Sequence, residues 1–214
     1  GRIWFLLTLS IPIMIDKSSL SLSYVWLSKM IAPMGGDAIA AFDIIKNLER
    51  SAIMPAGAFA QVVTFLVSNR LGANDPQGAR ANIIKIMLLT AGIVLVMLGI
   101  LCYNAPFLVA SISPSERITS LAVPLLRLTS GMVIFDCVQL ILASALRGAG
   151  KIQLVMWGRF LTCTFFFVPV SWYLSTCSFS STSMKFGLIY GTFYINTALM
   201  GLIFLVYIIR KDWY

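Results

Sequence analysis

Histidine is absent from the 214 residues, and charge is scarce: Asp, Glu, Lys and Arg together make up 11%. Without imidazole, a Ser/His/Asp triad and His-based zinc or haem ligation are excluded. The four cysteines, Cys102, Cys137, Cys163 and Cys177, lie in or near apolar segments with no Cys-x-x-Cys spacing, so no thiolate metal site or redox motif is legible. No Gly-x-x-x-x-Gly-Lys-Ser/Thr loop is present either, which removes the usual phosphate cradle for nucleotide-driven work. No enzyme activity, catalytic residue, metal or cofactor is expected.

What is abundant is apolar surface. Soluble domains are about 45–50% apolar and about 25% charged, whereas this chain is 59% hydrophobic with a mean hydropathy of +0.90. Too few charges remain to coat a water-facing surface. The run 83–103 has Lys85 as its only charge, and roughly 21 residues are enough to cross a hydrocarbon core about 30 Å thick. The composition predicts an all-α, multi-spanning membrane protein in contact with lipid. The first segment is too long and too lightly flanked for a cleaved signal peptide, and the chain reads as cut from a longer parent.

Breakers divide the sequence into six predicted helices, at about 3–31, 38–71, 76–103, 114–147, 152–174 and 184–209. Pro33-Met34-Gly35-Gly36 stops the first, and Asp37 is an N-cap candidate for the second. The second, roughly 34 residues or about 51 Å long, must tilt, protrude, or bend at Pro55 or Gly57. Asp75-Pro76 supplies a cap and a first-position proline for the third. A short interfacial piece is expected at 105–111, and Ser113-Pro114-Ser115-Glu116 reads as a capping box opening the fourth helix. Pro12, Pro55 and Pro169 are interior prolines that would kink or hinge their helices. Trp4, Trp172, Trp213 and Tyr214 fall near helix ends, where aromatic belts occur, and Phe165-Phe166-Phe167 reads as lipid-facing or packing.

Basic residues set the orientation. Arg2, Arg70, Arg80, Lys85, Arg147, Lys151, Arg159, Arg210 and Lys211 fall on one side, and Lys29, Arg117 and Lys185 on the other. The positive-inside rule then predicts both ends of the segment in the cytoplasm of a plasma (inner) membrane. The net charge of +8 is thus a topology signal, and no nucleic-acid partner is expected.

Charges inside spans are costly and mark where function can lie. Asp16 and Lys17 fall in helix one, and Asp43, Lys46, Glu49 and Arg50 in helix two. Spacing of three pairs Asp43 with Lys46 and Lys46 with Glu49, and Arg50 is expected to bridge toward Asp16 across an antiparallel helix pair. These six are either a self-neutralising ion-pair network or part of a substrate or ion cleft. Asp136 has no partner in its own helix, where the helical period places Thr129, Met132, Gln139 and Ala143 on its face. A lone acid at that depth is a candidate proton or sodium site, unless a neighbouring hydroxyl holds it for packing alone.

Several motifs together resemble one half of a multidrug and toxic compound extrusion (MATE) transporter. Leu71-Gly72-Ala73-Asn74-Asp75 with Ala79-Arg80 resembles the family's turn after the second helix of each lobe. Ala145-Leu146-Arg147-Gly148-Ala149-Gly150 resembles the turn after the fourth, and the Leu9-Ser10-Ile11-Pro12 opening and Met34-Gly35-Gly36-Asp37 match in kind. The resemblance implies one six-helix lobe, residues 1–214, of a two-lobe, twelve-helix transporter, with an amino-terminal lobe as partner. It also implies antiport of a small organic solute against H⁺ or Na⁺. Phe135-Asp136-Cys137-Val138-Gln139 resembles the Asp-x-x-Gln stretch of the carboxy-terminal lobe, which implies that Asp136 and Gln139 couple to the cation. A lipid-linked or polysaccharide exporter of related fold is the alternative within transport, and a non-transporting scaffold the alternative outside it.

Overall fold

The computed structural model describes residues 2–179 and 181–210, with side chains from Ser10 onward. Lys211, Trp213, Tyr214 and the side chains of Arg2 and Trp4 lie outside the described residues. In chain order the helices are α1 (Arg2–Ile31), α2 (Gly36–Gly72), α3 (Pro76–Tyr103), α4 (Ala105–Ile112), α5 (Glu116–Ser130), α6 (Val133–Gly148), α7 (Ile152–Thr162), α8 (Val168–Thr176) and α9 (Thr182–Ile209). A 3₁₀ turn, Ala32–Met34, separates α1 from α2, and a wide π turn, Cys163–Phe167, joins α7 to α8.

The turn chemistry explains most boundaries. Gly35, at φ +107, adopts a backbone that side-chain-bearing residues rarely reach. It caps α2 in place of Asp37, which sits in the first turn without capping anything. Asp75 caps α3 as expected: its Oδ1 accepts from the Gly78 N–H at 2.8 Å, and its Oδ2 pairs with Arg70 at 2.9 Å. The predicted capping box at 113–116 does not form. The Ser113 N–H is taken by the Val109 carbonyl, closing α4, so the chain runs extended through Ser115 and α5 opens only at Glu116.

The predicted fourth helix is broken. α5 and α6 meet at Gly131–Met132 with a 47° bend, and the Met132 N–H turns back to the Thr129 carbonyl at 2.8 Å. Serine and glycine at 130–131 weaken the helix there.

Among the described residues α2, α3, the continuous run Ile152–Thr176 and α9 are long and apolar enough to cross a membrane, and the bent α5–α6 pair meets the same measure only when taken together. α1 is 30 residues long but is interrupted by Asp16 and Lys17. The outer surface carries exposed Phe65, Leu88, Phe107 and Phe165, an apolar coat that suits lipid and not water. The protein is a multi-pass integral membrane protein.

Packing order departs from chain order. α2 lies against α3, α5 and α6, and α6 also packs on α9, whereas α1 leans mainly on α7 and α8. The α2–α6 crossing is close at Gly148, where an added Cβ would lie 2.5 Å from the Thr64 carbonyl oxygen. Thr64 donates to the Ser144 carbonyl at 3.0 Å and Ser68 to the Gly148 carbonyl at 2.8 Å, so the crossing is both tight and bonded. Arg80 donates to the Ile208 carbonyl at 2.9 Å, tying the start of α3 to the end of α9.

Candidate functional site

A cavity of about 470 Å³ opens between α1, α2, α6 and α7. Asp16 lies on its wall, 2% exposed. Its Oδ2 accepts from Arg147 at the end of α6, and its Oδ1 from Arg159 on α7, both at 2.5 Å. This replaces the expected bridge from Arg50. α1 packs on α7 and not along α2, so the two arginines arrive first. Arg147 therefore points inward to the cavity wall. Arg159 is buried in an ion pair and is not a loop charge of the kind that sets topology.

Glu49 is buried on the other side of α2. Its Oε1 accepts from Thr129 at 2.6 Å, and its Oε2 accepts from Tyr194 at 2.5 Å and from Tyr190. Tyr190 and Tyr194 stand four apart on α9, one helical turn, and so present their hydroxyls side by side. The expected Lys46–Glu49 pair does not form. Lys46 instead turns out to Asp43 at 2.9 Å, an exposed pair worth roughly 0–1 kcal/mol. The six charges predicted as one network thus separate. Asp16 and Glu49 each have their own shell, Asp43 and Lys46 pair at the surface, and Lys17 and Arg50 line the cavity without an ion-pair partner among the described residues.

Asp136 sits in the first turn of α6, just past the break. It lines the large cavity and also a small one of about 50 Å³ that it shares with Glu49, Tyr190 and Tyr194. It makes no hydrogen bond or ion pair among the described residues. Gln139, one turn later, is 1% exposed, lines the same cavity, and has a side-chain nitrogen without an acceptor. Thr129, expected on the Asp136 face of a straight helix, belongs to α5 and serves Glu49. Among the described residues no three Cys, Asp or Glu side chains converge on a metal position.

Sequence reasoning missed Arg159, Tyr190 and Tyr194. An arginine in the middle of an apolar run was the available signal for the first, and a Tyr-x-x-x-Tyr pair in an apolar helix for the others.

The sequence model of the MatE family matches residues 12–173. The chain belongs to the MatE family. A probable multidrug resistance protein NorM of Idiomarina loihiensis is 29% identical over 120 residues, covering 56% of this MatE chain and 26% of that protein. A probable NorM of Caulobacter vibrioides is 26% identical over 140 residues, covering 64% and 29%. Among solved structures, a MATE protein in complex with MaL6 superposes with a TM-score of 0.81 at 13% identity over 94% of this chain and 45% of that one. A MOP superfamily transporter from Pyrococcus furiosus, described as having a binding pocket of reverse polarity that suggests a different function, gives 0.76 at 18% identity, over 95% and 44%. This MatE chain therefore spans less than half of those transporters and has the fold of roughly one lobe.

Proposed function

We propose that this chain is one lobe, the carboxy-terminal one, of a secondary active exporter that exchanges H⁺ or Na⁺ for an organic solute by alternating access. Asp136 is the coupling carboxylate and Gln139 its neighbour. The observation that carries this reading is the unpaired Asp136 carboxylate opening onto a cavity lined by charged side chains in a lobe-sized unit. A non-transporting scaffold would instead hold that acid in ion pairs, as this same lobe holds Asp16. Two lobes facing one another would complete the cavity, and rocking between two orientations would present Asp136 to each side in turn. With the excess of basic residues inside, both ends of this segment face the cytoplasm of the plasma (inner) membrane.

The test uses the full-length protein in vesicles with an imposed proton or sodium gradient. Asp136→Asn keeps the side-chain shape and removes its charge. It is expected to fold and insert, and to lose gradient-driven uphill transport. Uphill transport at the wild-type rate would return Asp136 to a packing role.

A further inference from the structure

We infer that the cavity between α1, α2, α6 and α7 takes an organic anion, a carboxylate, sulfonate or phosphate group on an apolar body; this rests on the transporter reading above. Five cationic side chains line it, Lys17, Lys46, Arg50, Arg147 and Arg159, against two carboxylates, Asp16 and Asp136. Asp16 is shared by two arginines, so that cluster keeps one positive charge in excess. Lys46 is matched by Asp43. Lys17 and Arg50 then remain, with only Asp136 to offset them.

Lys17 and Arg50 are exposed and have no ion-pair partner among the described residues, so a ligand anion offsets their charge where a ligand cation adds to it. One further group points the same way. The Gln139 side-chain nitrogen is a buried donor on the cavity wall with no acceptor. Leu20, Tyr24, Ile53 and Leu140 supply apolar surface beside these charges, which suits a body of one or two rings.

An anion changes how exchange must work. A cationic solute would compete with the driving ion for Asp136 by charge alone. An anion binds better when Asp136 is neutralised, so exchange must come from opposite preferences of ion and solute for the two lobe orientations. This gives Asp136→Asn two separable effects: loss of coupling and a gain in anion affinity.

Binding of naphthalene-2-sulfonate and of 2-naphthyltrimethylammonium, which share one apolar body, is measured by calorimetry on the purified full-length protein. The sulfonate is expected to bind about tenfold or more tighter than the ammonium. Arg50→Gln is expected to weaken it by about tenfold, Arg50→Lys to restore most of that, and Asp136→Asn to strengthen it a few-fold. Thermal unfolding of each variant checks that it is folded. Equal or tighter binding of the ammonium overturns the inference, as does a folded Arg50→Gln protein with unchanged sulfonate affinity. Vesicle assays separate the two readings. Export of the ammonium without the sulfonate sinks the anion assignment and leaves transport standing, while sulfonate binding with no movement of either probe sinks transport and leaves the anion site standing.

Discussion

Asp16 and Glu49 are buried to nearly the same depth, 2% and 4% exposed, and are held by opposite chemistry. Asp16 is gripped by two guanidinium groups, which can only donate hydrogen bonds and keep their charge. Glu49 is surrounded by three hydroxyls, which can donate to a carboxylate or accept from a carboxylic acid. Thr129 shows how: its hydroxyl lies 2.6 Å from Glu49 and 2.9 Å from the Leu125 carbonyl, so its one proton can serve either. The Asp16 shell fixes a charge in place and staples α1, α6 and α7 together. The Glu49 shell joins α2, α5 and α9 and accommodates either protonation state. Under the proposed alternating access, a lobe that moves as one body while handling charge would use both kinds of joint.

The comparison breaks most sharply at Asp16. Asp16→Asn leaves two arginines without their counter-charge, and the loss of stability is expected at about 3–5 kcal/mol. It should appear as poor recovery of the full-length protein in detergent and a large drop in its unfolding temperature. A neutral result would mean that the triad is not a staple.

Gly148→Ala attacks the same staple from behind. The new methyl meets the Thr64 backbone, pushes α6 off α2, and shifts the adjacent Arg147 relative to Asp16, at an expected cost of about 1–3 kcal/mol. Thermal unfolding should show that loss. Paired with Asp16→Asn, the double variant should lose less than the two single losses added, because both act on one cluster.

Glu49→Gln sharpens the contrast. The amide oxygen still accepts from the two tyrosines, and its nitrogen can donate to Thr129, whose own proton turns to Leu125. The expected loss is about 1 kcal/mol or less. An unfolding temperature that falls as far as that of Asp16→Asn would show that Glu49 needs a fixed negative charge after all.

Much of the fold was legible because helix ends in this chain are marked locally. Pro33 to Gly36, Asp75-Pro76 and Gly148 to Gly150 each place a stop or a start that needs no distant partner. Lipid exposure was legible too, since it follows from composition. The break at Gly131–Met132 was not, because Ser-Gly inside an apolar run marks a weak point without saying whether packing will use it. The partners of the buried acids were not legible for a different reason: they depend on which helices touch. Asp16 meets Arg147 and Arg159 across 131 and 143 residues of chain, and nothing near Asp16 announces it. The face that the helical period draws for Asp136 runs across the Gly131–Met132 break, which is why Thr129 is found with Glu49 instead.

The wide turn at Cys163–Phe167 bears on how the reading frame can change length. A π turn carries one residue more than the α-helix on either side of it. Losing one codon there would let the helix close as ordinary α-helix while Ser171 kept the face on which its hydroxyl accepts from the Trp26 indole N–H at 2.9 Å. The same loss two or three residues later would swing Ser171 through about 100° and away from α1. The spans of this lobe are thus unequal as text, with a stretch near residue 165 where a deletion is silent in register and flanks where it is not.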